Sequence, residues 1–267
     1  MRPQGVPWPS EDNELLYRTV LPEHHREVST SEGVTGTVVV EASSWLEDNQ
    51  WVLDLAVNES WIVGFVGHVE PGREGFAADI ERFAGNPLFR GIRLGGGFLE
   101  GIEQGSLLDD MEVLVKNDLE LDLLMNIDHW DGLCFLAERI GELRIVVNHL
   151  ASVEIDGNQP DSKWVDCMHR VSDFTQVYMK VSGLVEMAHV QPAPTDLGYY
   201  LPTLDVLWES YGEDRLIYGS NWPVTDRGGE YGEQLAIINE YFSAKGKDVA
   251  EKLFWKNAAK FYGVKIR

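Results

Sequence analysis

Polar side chains stand at or just after the ends of several short apolar runs of this sequence. The residues are Glu41, His68, Arg93, Asn126, His149, Lys180 and Asn221. Functional side chains of parallel β/α barrels lie at the carboxyl ends of the strands. A packing core does not need one polar, often ionisable, residue from each run. The pattern therefore predicts a site built from strand ends.

His149 and Glu41 are the candidates for acid–base chemistry. His149 follows the run RIVVN, where it could serve as a general base or a metal ligand, or simply close a strand as a hydrogen-bonded histidine. Glu41 follows three valines, and a buried carboxylate there needs either a partner or a function.

The candidates for binding substrate are two cations, an amide and an indole. Arg93 could hold a substrate carboxylate through two parallel hydrogen bonds or form a structural ion pair. Lys180 is either a binding cation or a charge at the rim. Asn126 and Trp222 complete this set, whereas His68 is interpreted as structural.

Asn221 raises a chemical question, because a hydrolytic site would more usefully hold a carboxylate there. It lies in LIYGSNWPV, just after an apolar run. An amide cannot accept a proton at neutral pH, but it can orient water or substrate by hydrogen bonds. We therefore expect Asn221 to hold and orient a reactant.

A metal centre cannot be assembled from this sequence alone. Two histidines at HxH spacing on one strand can share a divalent ion, but the sequence contains no HxH, HExxH or CxxC motif. His149 by itself does not make a metal site, so no cofactor is expected for this chain alone.

The elements that position these residues are short Val-, Ile- and Leu-rich runs that alternate with segments of helical period. Continuous apolar runs such as VVV and IVV are typical of parallel strands covered on both faces. The predicted strands are Thr35–Glu41, Ile62–His68, Phe89–Arg93, Glu120–Met125, Arg144–Asn148, Gln176–Ser182 and Arg215–Gly219.

The strand count predicts an α/β fold, a TIM (β/α)8-type barrel that lacks its first strand. The Pro-rich segment RPQGVPWPS near the start cannot be a central strand. A doubly wound open sheet would explain seven strands without a deficit, but no GxGxxG or GxxxxGK[ST] loop follows any of them. The barrel is the favoured fold.

Composition limits the partners. The 22 basic and 44 acidic residues give a net charge of −22, which argues against nucleic acid and anionic membranes. Cys134 and Cys167 are expected to be free thiols. There is no apolar stretch of membrane-spanning length and no signal peptide, so residues 1–267 are predicted to form one cytoplasmic domain that acts on a small molecule.

Several sequence blocks, in this order, resemble the amidohydrolase-related family of TIM-barrel hydrolases. They are GVTGTVVVEAS, GFVGHVEPG, FRGIRL, RIVVNHLA, VYMKVSGL, LIYGSNWPV and FWKNAAKFYG. The resemblance runs from about Gly5 to the C-terminus. It is greatest to the lactonase-like branch, which includes L-fucono-lactonase and 2-pyrone-4,6-dicarboxylate lactonase.

The resemblance implies an expected first strand and an expected metal. Members of the family open with an HxH strand just before a segment like RPQGVPWP, so this chain is expected to begin after that strand, either through a late start or through its loss. A complete protein would bind one divalent metal, Zn or Mn, with His149 as a ligand. Asn221 takes the position of the family's strand-eight acid, which passes the duty of base to His149, Glu41 or Asp226.

The expected activity is hydrolysis of a small carbonyl compound, a sugar-derived or carboxylated lactone, with His149, Asn221 and Glu41 as catalytic residues. The alternatives are a metal-dependent decarboxylase of the same fold and an inactive barrel that binds a small metabolite. An open barrel edge would also favour poor solubility or a homo-oligomer.

Overall fold

The computed structural model describes residues 8–103 and 105–265 and contains, within them, a seven-stranded parallel sheet. The strands are hydrogen-bonded in the order in which they occur along the chain. They are β1 Thr37–Val40, β2 Ile62–Gly67, β3 Phe89–Gly95, β4 Glu120–Leu124, β5 Ile145–Val147, β6 Val177–Val181 and β7 Leu216–Tyr218.

Helices connect the strands, as right-handed parallel crossovers require. Those of the described residues are α1 Pro22–Ser29, α2 Leu46–Ala56, α3 Phe76–Ala84, α4 Leu107–Lys116, α5 Trp130–Arg139, α6 Ser162–Ser172, α7 Leu201–Tyr211, α8 Tyr231–Ala244, α9 Lys247–Glu251 and α10 Asn257–Phe261. A π-helical turn, Lys252–Lys256, joins α9 to α10. None of these helices is long and apolar enough to cross a membrane.

All seven predicted strands are present, and their ends differ from the predicted ones by at most two residues. The largest extension is in β3, which continues from Arg93 to Gly95. Of the Pro-rich segment RPQGVPWPS, residues 2–7 lie outside the described residues, and residues 8–10 are not in a strand. Cys134 and Cys167 are free thiols, as predicted.

Side chains that alternate along the strands separate into two apolar clusters. Phe65 and Met179 belong to the large cluster between the sheet and the helices, whereas their neighbours Val66 and Tyr178 belong to a smaller one. That alternation is the period of two of a strand. The smaller cluster is made of Val66, Val146, Tyr178, Ile217, Phe261 and Tyr262. Because it joins β2 to β7, the sheet must curl around it into a partial barrel.

The curled sheet is open between its two edge strands in the part of the chain that the structure describes. Thr37 and Glu41 donate their amides to Trp61 and Val66, so the alternate amides of β1 point away from β2. A cavity of about 3070 Å³ occupies the barrel interior and this opening. Seven parallel strands agree with the predicted barrel, and an additional strand between β7 and β1 stays a prediction.

Candidate active site

His149 is held in an unusual backbone conformation just beyond β5. His149 to Ser152 all have positive φ, between 50° and 57°. This left-handed conformation costs roughly 1–2 kcal/mol per non-glycine residue, and such strain persists where surrounding packing over-determines it, often at functional sites. Packing here is tight, because a Cβ at Gly183 would lie 3.2 Å from the Cβ of His149. The fold therefore forces this imidazole into the cavity.

The His149 imidazole is neutral. Its Nδ1 lies 2.8 Å from the hydroxyl oxygen of Ser182. Burial, and then the positive charges of Lys180 and Arg93, lower the pKa of His149 to about 3. A neutral imidazole can accept one hydrogen bond and donate another, but it carries no fixed charge with which to hold an anion.

Lys180 is placed beside His149, but its charge is already balanced. Its ammonium group forms a buried ion pair with Asp122 of β4, and the Tyr262 hydroxyl donates to the other Asp122 oxygen at 3.0 Å. Glu120 lies two residues before Asp122 in β4, on the same face of the strand, and is fully buried. Burial, followed by the nearby Asp122 charge, raises the pKa of Glu120 well above its usual range, which favours its neutral form.

Arg93 forms the second ion pair of the cavity. Its Nε donates to Glu41 Oε1 at 3.0 Å, which joins the end of β1 to β3. The backbone of His68 exchanges two hydrogen bonds with the Asn49 side chain, of 2.9 and 2.7 Å. His68 Nδ1 lies 3.1 Å from the Arg93 carbonyl oxygen. Glu41 is thus engaged by a cation, and His68 has the structural contacts expected of it.

Asn221 follows β7 with φ 53°, in the left-handed region that asparagine tolerates better than most residues. Its Nδ2 donates to Glu186 Oε1 at 2.8 Å, and the Thr225 hydroxyl oxygen lies 2.9 Å from the same oxygen while it also contacts the Ser220 carbonyl oxygen. Burial raises the pKa of Glu186. The neighbouring Trp222 ring lies 5.6 Å from the His25 ring. One of the two hydrogens on the Asn221 amide nitrogen is therefore bonded to a carboxyl oxygen.

The cavity brings together most of the predicted site. Its lining includes Glu41, His68, Arg93, His149, Lys180, Asn221 and Trp222. Asn126 lies elsewhere, on the exposed surface, where its side chain accepts a hydrogen bond from the Asp128 amide. Asp226 also lies outside the lining, and its carboxylate pairs with Arg18 at 2.5 Å.

Three contributors were not expected from the sequence: Ser182, Asp122 and Glu186. Ser182 and Asp122 could have been found, because Ser182 is two residues from Lys180 and Asp122 interrupts an apolar strand. Their side chains alternate onto the lumen face. Glu186 lies in a loop, and no sequence pattern indicates that it meets Asn221.

The described residues do not fit a divalent metal. Among them, no three His, Cys, Asp or Glu side chains are grouped so that they could hold a metal ion. The side chains of Lys180 and Arg93, which lower the pKa of His149, would also oppose a cation at that imidazole. No step of the chemistry is therefore derived through a metal.

Comparison with known proteins places this geometry in a family. An L-fucono-1,5-lactonase from Burkholderia ambifaria is 30% identical over 96% of this chain and 90% of its own length. A second L-fucono-1,5-lactonase, from Burkholderia multivorans, is 22% identical over 97% of this chain and 90% of its own length.

A solved amidohydrolase from Burkholderia multivorans has the same fold, with a TM-score of 0.89 and 20% identity over 99% of this chain and 96% of that chain. A second crystal form of that protein, with a TM-score of 0.88, contains bound zinc. The sequence profile of the amidohydrolases matches residues 7–264. Since that match spans nearly the whole sequence, the chain belongs to the amidohydrolase family.

Proposed function

We propose that the protein hydrolyses a sugar-derived 1,5-lactone. The observation that carries the proposal is the placement of a half-buried, neutral His149 in the barrel cavity, in a chain 30% identical to an L-fucono-1,5-lactonase. Family membership makes hydrolysis the reaction class, and the relative suggests the substrate class.

The charges of the cavity favour a neutral, hydroxylated substrate over a carboxylated one. Each candidate cation already has a carboxylate partner, Arg93 with Glu41 and Lys180 with Asp122. A substrate carboxylate would add a second negative charge to a pair that is already balanced, which is costly where the pair is buried, as at Lys180 and Asp122. Sugar hydroxyl groups can instead bond to the remaining donors and acceptors of the same ion pairs.

His149 supports the reaction better as a hydrogen-bond donor than as a base. General-base catalysis is most effective when the pKa of the base lies near the working pH, and the pKa of His149 is about 3. If the Ser182 hydroxyl donates to Nδ1, then Nε2 carries the imidazole proton. That N–H would polarise the lactone carbonyl and stabilise the oxyanion that forms when water attacks.

Asn221 would orient the water molecule that attacks the lactone carbonyl. One of the two Nδ2 hydrogens bonds to Glu186, and we assign the acceptor Oδ1 to the water molecule. Water adds to the carbonyl carbon, the bond from that carbon to the ring oxygen breaks, and the ring oxygen leaves as a hydroxyl group. The second proton of water is released from the new carboxylic acid to solvent.

The metal-dependent decarboxylase is the weaker alternative, because it needs a set of metal ligands that the described residues do not supply. The non-catalytic barrel differs in one measurable respect. It would be thermally stabilised by sugar lactones without accelerating their hydrolysis.

The proposal is tested by the hydrolysis of L-fucono-1,5-lactone, followed as proton release above the spontaneous rate. We expect the protein to accelerate hydrolysis and His149→Ala to lower kcat/KM about 100-fold or more. The control His169→Ala changes an exposed histidine of α6 and should leave the rate unaltered.

Three outcomes would count against the proposal. Stabilisation by the lactone without turnover would indicate the binding barrel. Unchanged turnover in His149→Ala would remove that residue from the mechanism. A preference for 2-pyrone-4,6-dicarboxylate over the sugar lactone would refute the argument from paired charges.

A further inference from the structure

We propose that Glu186 is a positioning residue, which holds the Asn221 side chain with its amide oxygen directed at the cavity. The two residues lie in different loops, Glu186 after β6 and Asn221 after β7. They meet through a hydrogen bond of 2.8 Å from Asn221 Nδ2 to Glu186 Oε1. The catalytic consequence rests on the proposed lactone hydrolysis, whereas the orientation itself does not.

The chemistry of the pair decides which way the amide faces. An ionised carboxylate accepts hydrogen bonds and donates none, so only the NH₂ side of Asn221 can approach it. Thr225 Oγ1 lies 2.9 Å from the same Glu186 oxygen and also contacts the Ser220 carbonyl oxygen, so its one hydrogen is shared between two acceptors that belong to the two loops. Asn221 lines the cavity, and with its NH₂ end held toward Glu186 we assign the opposite end of the amide, Oδ1, to the cavity.

The two loops are joined by a buried side chain of α8. Gln234 accepts a hydrogen bond from the Leu184 amide at 3.0 Å and donates one to the Ser220 carbonyl at 2.9 Å. The loops are also closely packed, because a Cβ at Gly228 would lie 2.6 Å from the Val185 carbonyl carbon. The geometry of the Glu186–Asn221 pair is therefore set by the surrounding fold.

This arrangement explains why the residue after β7 is an amide. An aspartate at 221 would bring two carboxylates into contact, whereas asparagine lets Glu186 ionise. A charge-assisted hydrogen bond to Nδ2 also polarises the amide and strengthens Oδ1 as an acceptor. Oδ1 would then orient the attacking water without taking its proton.

The orientation can be tested by NMR without any substrate. With selective ¹⁵N-asparagine labelling, the side-chain NH₂ signals of Asn221 are identified by their loss in Asn221→Ser. We expect them to shift between pH 4 and 9 with one titration, that of Glu186, and to stop titrating in Glu186→Gln. Arg227 also acts electrostatically on Glu186, and burial raises the pKa of nearby Tyr200 far above this range.

Glu209→Gln, an exposed change on α7, is the matched control and should leave the Asn221 titration intact. Asn221 signals that do not titrate, or that titrate equally in Glu186→Gln, would overturn the positioning role.

Kinetics tests the consequence of this positioning. On a hydrolysed lactone, Glu186→Leu should lower kcat about 10- to 100-fold with a smaller change in KM, because the oxygen that orients water is misplaced. Glu186→Gln keeps an acceptor for Nδ2 and should recover part of that loss. Equal kcat in all three proteins would overturn the role in the reaction. Absence of turnover in the unaltered protein would instead refute the lactonase proposal, and the NMR result would still decide the orientation.

Discussion

Replacing Asn221 with aspartate should create two acidic groups that share one proton. Asn221 Nδ2 lies 2.8 Å from Glu186 Oε1, and aspartate has the same shape, so a carboxylate oxygen would take the place of Nδ2. Two unit charges at that distance repel by about 6 kcal/mol at an effective dielectric constant of about 20. This corresponds to a rise of about four pKa units, from which relaxation of the loops would subtract.

The pH dependence follows from the sign of that shift. Carboxyl groups of the unfolded chain ionise near pH 4, whereas the folded pair would keep its shared proton to a higher pH. The variant should therefore lose stability as the pH rises above about 4, until the folded pair also ionises. Burial already raises the pKa of Glu186 in the unaltered protein, so a weaker loss in the same direction is expected there.

Urea denaturation followed by tryptophan fluorescence at pH 4.5, 6 and 8 would measure this effect. We expect Asn221→Asp to be nearly as stable as the unaltered protein at pH 4.5 and less stable by several kcal/mol at pH 8, with about 6 kcal/mol as the upper bound. Asn239→Asp, an exposed change on α8, adds the same charge and should show no such slope. A slope that is equal in the two variants would refute the pairing of Asn221 with Glu186.

Two further predictions concern the buried ion pair and the edge of the sheet. Lys180→Met should cost about 3–5 kcal/mol in urea denaturation, because it leaves the Asp122 carboxylate buried without its cation. The matched control Lys163→Met changes an exposed lysine. If the two substitutions lower the free energy of unfolding by equally small amounts, the buried ion pair is refuted. In hydrogen-exchange measurements, the Val38 and Val40 amides, which point away from β2, should exchange much faster than amides of the central strands. Strong protection of both would show instead that another strand or a second copy covers this edge.

The secondary structure could be predicted because its signals are local. Continuous runs such as VVV in β1 and IVV in β5 are recognisable as strands covered on both faces, without knowledge of their neighbours. Functional side chains of parallel barrels lie at the carboxyl ends of the strands, and this rule placed His149, Arg93 and Asn221 at one cavity. It failed to bring Asn126 there, because that side chain caps the turn that follows its own strand.

The partners of the site residues could not be predicted in the same way. Glu41 and Arg93 come from strands that are not neighbours, since β2 lies between them in the sheet. Their contact depends on the curl of the sheet, which no local pattern reports. Glu41 was expected to be catalytic because a carboxylate behind three valines needs a partner or a function, and the fold supplies the partner.

The amino-acid sequence by itself determined the alternation of strands and helices, the parallel sheet and the residues that stand at its carboxyl edge. These follow from periodicity and from the geometry common to all parallel sheets. Only the tertiary structure decided the charge and orientation of those residues. His149 is neutral because burial and two cations act on it, and the Asn221 amide faces the cavity because Glu186 meets its nitrogen. Both outcomes depend on contacts between segments far apart in the chain, which form only when the sheet curls around the cavity.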